Sequence, residues 1–209
     1  MTGQTPIRVM SVDDHPLLRE GLAALINNQP GMILVAQASN AQEGIAEFRK
    51  HKPDVTLMDL RLPDKSGIEA LIAIRAEFPE ARIIVLSTFE GDVEIQRALE
   101  GGARGYLLKS TPPKELVEVI LQVHAGKKRI PSQIAAQLAE HLSDEALTDR
   151  EVEVLSQIAG GNRNRDIAEK LFITEETVKV HIKHIMDKLG ASDRTQAVAI
   201  GLRRGIIHL

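Results

Sequence analysis

Ile7-Arg8-Val9-Met10-Ser11-Val12-Asp13-Asp14 decides the fold, because a run of β-prone residues ends abruptly in two carboxylates. The same design recurs downstream: Asp54-Val55-Thr56-Leu57-Met58 closes on Asp59, and Tyr106-Leu107-Leu108 closes on Lys109. Short apolar runs that alternate with helical patterns read as buried parallel strands, and parallel α/β sheets bind ligands at the carboxyl ends of their strands. Three carboxylates and one ammonium are therefore expected in one crevice. A lone acid pair after a strand is more often a turn or a helix cap. Independent caps, however, have no reason to fall at three strand ends.

Working outward, strand signals cover residues 7–12, 32–36, 55–58, 82–87 and 105–108, and helical patterns cover 16–27, 41–51, 66–78, 91–100 and 112–124. Ser39-Asn40, Ser66 and Thr111-Pro112 supply helix-start chemistry. The fold class is an α/β, doubly wound (βα)5 unit over residues 1–125. Gly126-Lys127-Lys128-Arg129-Ile130-Pro131 breaks the pattern. Ser132, Ile134, Leu138 and Leu142 then suggest that a linker over 126–146 is partly helical. No strand signal follows. Residues 147–209 read as a second, smaller all-α domain with helices over 148–160, 164–171, 174–189 and 193–203.

The 209 residues are 43% hydrophobic, contain no cysteine and carry a net charge of -3. Disulfides, thiolate metal sites and cysteine nucleophiles are excluded. No apolar stretch reaches the roughly 20 residues of a membrane helix, and Met1-Thr2-Gly3-Gln4-Thr5-Pro6 lacks signal-peptide chemistry, so a cytoplasmic protein is expected. Residues 1–126 carry 13 basic and 17 acidic side chains, whereas residues 147–209 carry 10 and 9. The C-terminal part is not broadly basic, so a nucleic-acid reading must rest on where its cations lie.

Asp13, Asp14 and Asp59 repel one another at close range unless protonated or neutralised, and an all-oxygen set suits Mg²⁺. A cation there allows an aspartate to attack phosphorus, giving an aspartyl phosphate. Lys109 can pair with that group, and Ser87 or Thr88 can donate a hydroxyl hydrogen bond.

Val12-Asp13-Asp14-His15-Pro16, Leu57-Met58-Asp59-Leu60-Arg61-Leu62-Pro63, Ile84-Val85-Leu86-Ser87 and Gly105-Tyr106-Leu107-Leu108-Lys109 resemble a response-regulator receiver domain. The resemblance implies that Asp59 is the phosphoacceptor and that Asp13, Asp14, Asp59 and the backbone carbonyl of Arg61 hold Mg²⁺. It implies that Ser87 and Lys109 contact the phosphoryl group and that Tyr106 switches rotamer with Ser87. Many receivers follow the lysine with proline, whereas Ser110-Thr111 stands here before Pro112-Pro113.

In the C-terminal part, Asn164 to Leu171, the turn Phe172-Ile173-Thr174 and the helix that follows read as helix-turn-helix. Val178, Ile182, Ile185 and Leu189 form one apolar stripe, with Lys179, Val180 and Lys183 on an adjoining face. A solvated amphipathic helix fits that periodicity as well as a recognition helix does. Leu147-Thr148-Asp149-Arg150-Glu151-Val152, Thr177-Val178-Lys179-Val180-His181 and Lys188-Leu189-Gly190 decide it by resemblance to the LuxR-type DNA-binding domain. Receiver plus this domain is the NarL/FixJ arrangement. The resemblance implies that Lys179, Val180 and Lys183 face bases, that Thr177, His184 and Asn164 approach the DNA backbone, and that Asp193-Arg194-Thr195 and the last helix form a dimer contact.

The expected function is a transcriptional regulator, not an enzyme beyond its own phosphoryl transfer. A partner histidine kinase phosphorylates Asp59, and the phosphorylated homodimer binds promoter half-sites. Two alternatives stay open on sequence. One is a Mg²⁺-dependent phosphatase using Asp59 as nucleophile, for which no separate general acid is visible. The other is a phosphorylation-independent DNA-binding or adaptor protein.

Overall fold

The computed structural model describes residues 5–88, 91–132, 135–136 and 145–207. The chain divides into two compact units, residues 1–89 with 95–133, and residues 90–94 with 134–209. Up to residue 133 the chain alternates β1 (Ile7–Val12), α1 (Pro16–Asn27), β2 (Met32–Ala38), α2 (Ala41–His51), β3 (Val55–Asp59), α3 (Gly67–Glu77), β4 (Ile83–Ser87), α4 (Asp92–Glu100), β5 (Gly105–Leu108) and α5 (Pro113–His124), all in the first unit except the start of α4. Its strands form one sheet in the order β2-β1-β3-β4-β5, with every pairing parallel.

Side-chain alternation divides the core into two layers. Val9, Val55, Leu57, Ile84, Leu86 and Leu107 pack with Leu22 and Ile26 of α1 and Leu116, Ile120 and Val123 of α5. Met10, Met58, Ile83 and Val85 alternate with them and are equally buried. β3 and β4 are buried along their whole length, which explains why they read as continuous apolar runs.

Helix starts follow the sequence chemistry at α2 and α3, whereas α5 starts at Pro113 behind Pro112 with no side-chain cap. Asn40 accepts from the Glu43 N–H at the head of α2, and Ser66 with Glu69 forms a reciprocal capping box on α3. Ser66 is thus the cap, so α3 begins one residue later than the helical pattern does. Beyond α5 the chain turns back, and residue 129 bridges the free side of β5: the Tyr106 N–H donates to the Arg129 carbonyl at 3.1 Å and the Arg129 N–H to Arg104 at 2.8 Å. The expected break after Gly126 therefore covers a sheet edge that would otherwise stand open. Of the anticipated linker helix, Ser132 and residues 135–136 are helical, while Ile134, Leu138 and Leu142 lie outside the described residues.

The second unit contains α6 (Asp149–Ala159), α7 (Asn164–Leu171), α8 (Glu175–Leu189) and α9 (Arg194–Arg203). Val154, Leu155 and Ile158 of α6 close on Ile167, Val178, Ile185 and Ala197. Thr148, Thr174 and Asp193 each accept backbone N–H groups at a helix start. α7 ends on Phe172, held at φ 55°, and this left-handed residue turns the chain into α8.

Candidate functional site

The parallel sheet delivers Asp13, Asp59 and Lys109 to one edge. The Lys109 ammonium lies 2.7 Å from Asp59 Oδ2 and 2.8 Å from Asp13 Oδ2. Both aspartates are buried, at 1% and 3% exposure, whereas Asp14 is exposed. One cation thus serves two buried carboxylates beside a third acid.

The consequence is electrostatic. Burial pushes the Asp59 carboxyl above the usual carboxylate range, and the Asp13 charge adds to it; the bonds from Lys109 and from the Arg61 N–H oppose this without cancelling it. Burial works against the Lys109 ammonium as well, but its bonds to Asp13 and Asp59 win and hold its pKa above the ordinary lysine value. Carboxylate oxygens of Asp13, Asp14 and Asp59, together with a nitrogen of His15, all lie within 4.8 Å of one another. The three carboxylates of this set fit a hard divalent cation.

Local structure fixes each member. The Arg61 N–H donates to Asp59 Oδ1 at 3.1 Å, the Lys109 N–H donates to the Ser87 carbonyl at 2.8 Å, and Ser87 pairs with Leu108 across β4 and β5. Ser87 and Tyr106 are buried. All peptide bonds among the described residues are trans, the one between Lys109 and Ser110 included.

Two residues at this corner escaped the sequence reading. Gly67 opens α3 with its N–H on the Leu60 carbonyl at 2.9 Å, and a Cβ there would fall onto the Asp59 backbone carbonyl. Only glycine lets α3 seat against the strand that carries Asp59. His15 is the other: its N–H donates to Asp13 Oδ1 at 2.8 Å and its Nδ1 lies 2.7 Å from Asp14 Oδ1. Gly67 follows a serine cap, and His15 stands within the Val12-Asp13-Asp14-His15-Pro16 motif, but no spacing in the sequence assigns either a role.

In the second unit, Val178 and Ile185 are buried, with Ile182 and Leu189 packed against the same core, so the apolar stripe faces inward. Lys179, Val180, Lys183 and His184 are exposed on α8, and Thr177 and Asn164 are half-buried. Val180 is 47% exposed, unusual for an aliphatic side chain on a helix with an available core. Lys179 rests on Glu176 at 3.0 Å, and the Thr177 hydroxyl bonds that of Thr174 at 2.8 Å. Lys188 differs from Lys179, since it bonds the buried Glu151 at 3.0 Å and the Ala146 carbonyl at 3.2 Å. It braces the fold.

Comparison with known proteins agrees with both halves. Residues 9–121 match the response regulator receiver domain, and residues 145–200 match bacterial regulatory proteins of the luxR family. The transcriptional regulatory protein YxjL of Bacillus subtilis is 42% identical over 97% of this chain and 98% of its own. LiaR of the same organism, also a transcriptional regulatory protein, is 39% identical over 97% of this chain and 100% of its own. A structure of RcsB dimers bound to DNA is 25% identical, with a TM-score of 0.69 over 95% of this chain and 98% of that one. With family matches in both units and full-length relatives on either side of 40% identity, the chain belongs to the response regulators that join a receiver domain to a LuxR-type DNA-binding domain, the NarL/FixJ arrangement.

Proposed function

We propose that this protein is a phosphorylation-dependent transcriptional regulator of the cytoplasm, in which Asp59 accepts a phosphoryl group from a partner histidine kinase. The observation that carries the reading is Lys109 shared between buried Asp59 and Asp13. An ionised Asp59 oxygen forms the new P–O bond as the bond to the donor's leaving group breaks, and the chain needs only to align and neutralise. Asp13, Asp14, Asp59 and the Arg61 carbonyl would hold Mg²⁺, which when bound supplies the charge that lets two anions meet. Lys109 and Ser87 then receive the phosphoryl oxygens, Lys109 as a point charge and Ser87 as a hydroxyl donor.

The added charge biases Ser87 and Tyr106 between two arrangements, and the face formed by α4 and α5 carries the change to the DNA-binding helices. Lys179, Val180 and Lys183 reach base edges, and Thr177, His184 and Asn164 approach the backbone. A domain this close to neutral binds weakly as a monomer. Dimerisation through Asp193-Arg194-Thr195 and α9 sets two recognition helices on half-sites about one helical turn apart.

Labelling with a small phosphodonor tests the site. Wild-type protein takes up phosphoryl groups in the presence of Mg²⁺ and Asp59→Ala does not; persistent labelling of the variant sinks the assignment. Sustained multiple turnover on a phosphomonoester would instead mark a phosphatase.

A further inference from the structure

His15 has no part in the reading above, yet its side chain is committed to the acidic crevice. It occupies the N-cap of α1, where a side chain ordinarily turns back onto the helix N–H groups, and it makes no such bond. Its Nδ1 instead lies 2.7 Å from Asp14 Oδ1 and 3.1 Å from Asp13 Oδ1. Pro16 at the first helical position restricts the backbone at His15.

We infer that His15 is a coordinating residue of the cation site, adding an imidazole nitrogen to its oxygens and directing it toward imidazole-accepting divalent ions such as Mn²⁺, Co²⁺ and Ni²⁺. The inference rests on the Asp13, Asp14 and Asp59 cation site proposed above.

Geometry supports it. The four donor atoms lie within 4.8 Å of one another. Bonds of about 2.1 Å place opposite ligands of an octahedral ion about 4.2 Å apart, so a closure of a few tenths of an ångström brings them into range. The His15 side chain is 64% exposed, and the ring can turn by that amount without disturbing the core. An oxygen set alone suits Mg²⁺, whereas one imidazole raises affinity selectively along the first transition row. Lys109 approaches Asp13 and Asp59 through their Oδ2 atoms, while His15 approaches Asp13 through Oδ1. The imidazole and the ammonium therefore do not compete for one oxygen.

The test is Mn²⁺ binding to untagged full-length protein, followed by electron paramagnetic resonance with pulsed detection of nitrogen coupling, alongside Ni²⁺ and Mg²⁺ affinities by calorimetry. Wild type, His15→Ala, His15→Gln and Asp13→Asn are compared. The expected result is a histidine-nitrogen modulation present in wild type and lost in both His15 variants and in Asp13→Asn. The ratio of Ni²⁺ to Mg²⁺ affinity should fall about tenfold in His15→Ala. If Mn²⁺ binding is abolished by Asp13→Asn but shows no nitrogen modulation, or if the ratio is unchanged in both His15 variants, His15 only braces the loop. The inference then fails while the cation site stands. If no divalent binding depends on Asp13, the cation site and the inference fall together.

Discussion

Asp59 in the receiver and Glu151 in the DNA-binding domain are both buried acids beside a lysine, and their proton affinities move in opposite directions. Glu151 is 4% exposed; burial works against its charge, but the Thr148 N–H at 2.8 Å and Lys188 at 3.0 Å outweigh this and hold it below the usual carboxylate range. Asp59 is 3% exposed with Lys109 at 2.7 Å, and burial wins. The difference lies first in burial and in the bonds each carboxylate accepts, since Thr148 adds to Lys188 at Glu151 while burial outweighs the Lys109 and Arg61 bonds at Asp59, and then in the company each lysine keeps. Lys188 divides its charge between Glu151 and the exposed Glu145, which water already solvates, whereas Lys109 divides its charge between two buried carboxylates. A buried acid with its own partners is structure; one left under-neutralised at a strand end is a place for chemistry.

That contrast can be broken from either side. The largest stability effect is expected from Gly67→Ala, which sets a methyl group against the Asp59 carbonyl and should cost the receiver about 3 kcal/mol, read as a lowered denaturation midpoint for the N-terminal unit alone. Equal stability would mean that α3 is not seated on Asp59. A divalent cation at one hundred times its dissociation constant should stabilise the receiver by about 2.7 kcal/mol, and Asp13→Asn should remove that gain. Glu151→Ala strips an acceptor from the Thr148 N–H and a partner from Lys188, and should cost the C-terminal unit about 2 kcal/mol.

The pH dependence separates the pair by sign. The folded pKa of Asp59 is raised, so folding holds its proton, and stability is lost as pH climbs from the ordinary carboxylate range through the folded value. In chelator, Asp59→Asn should gain on wild type as pH rises above the ordinary aspartate value. The folded pKa of Glu151 is lowered, so its contribution is present above the ordinary glutamate value and is lost as pH falls through the folded one. Glu151→Gln should lose ground to wild type as pH rises from the folded Glu151 value to the ordinary glutamate value, and no further above it. Parallel curves for the two variants would erase the distinction. The smallest effect concerns Phe172, 95% exposed and held at φ 55° at the end of α7. Phe172→Gly should stabilise the C-terminal unit by about 1 kcal/mol in thermal melts, because glycine accepts that conformation without steric cost.

Much of this was legible in the chain. Asp13, Asp59 and Lys109 could be placed together before any coordinates, because the carboxyl ends of parallel strands share one edge of the sheet and the residues stand where each apolar run stops. The apolar stripe of Val178, Ile182, Ile185 and Leu189 was legible for a similar reason, helical spacing being periodic. Contacts that depend on how elements meet were not. Gly67 matters because of a backbone eight residues earlier in the chain, and Lys188 bonds Glu151 across 37 residues, which no local period encodes. The pairing of Arg129 with β5 was hidden because residues 127–131 read as a simple break in the helical pattern, and an edge strand of one bridge leaves no alternation to find. The exposed side chains of α8 gave only half a signal, since an exposed polar face looks alike with or without a nucleic-acid partner.

The central claim is that charge arriving at Asp59 governs DNA binding by the other domain. Footprinting on genomic fragments, with and without a small phosphodonor, tests it most directly when wild type and Asp59→Ala are run side by side. The account predicts that the donor strengthens protection by wild type at paired half-sites about one helical turn apart and leaves Asp59→Ala unchanged. Equal protection by wild-type protein with and without the donor would contradict it.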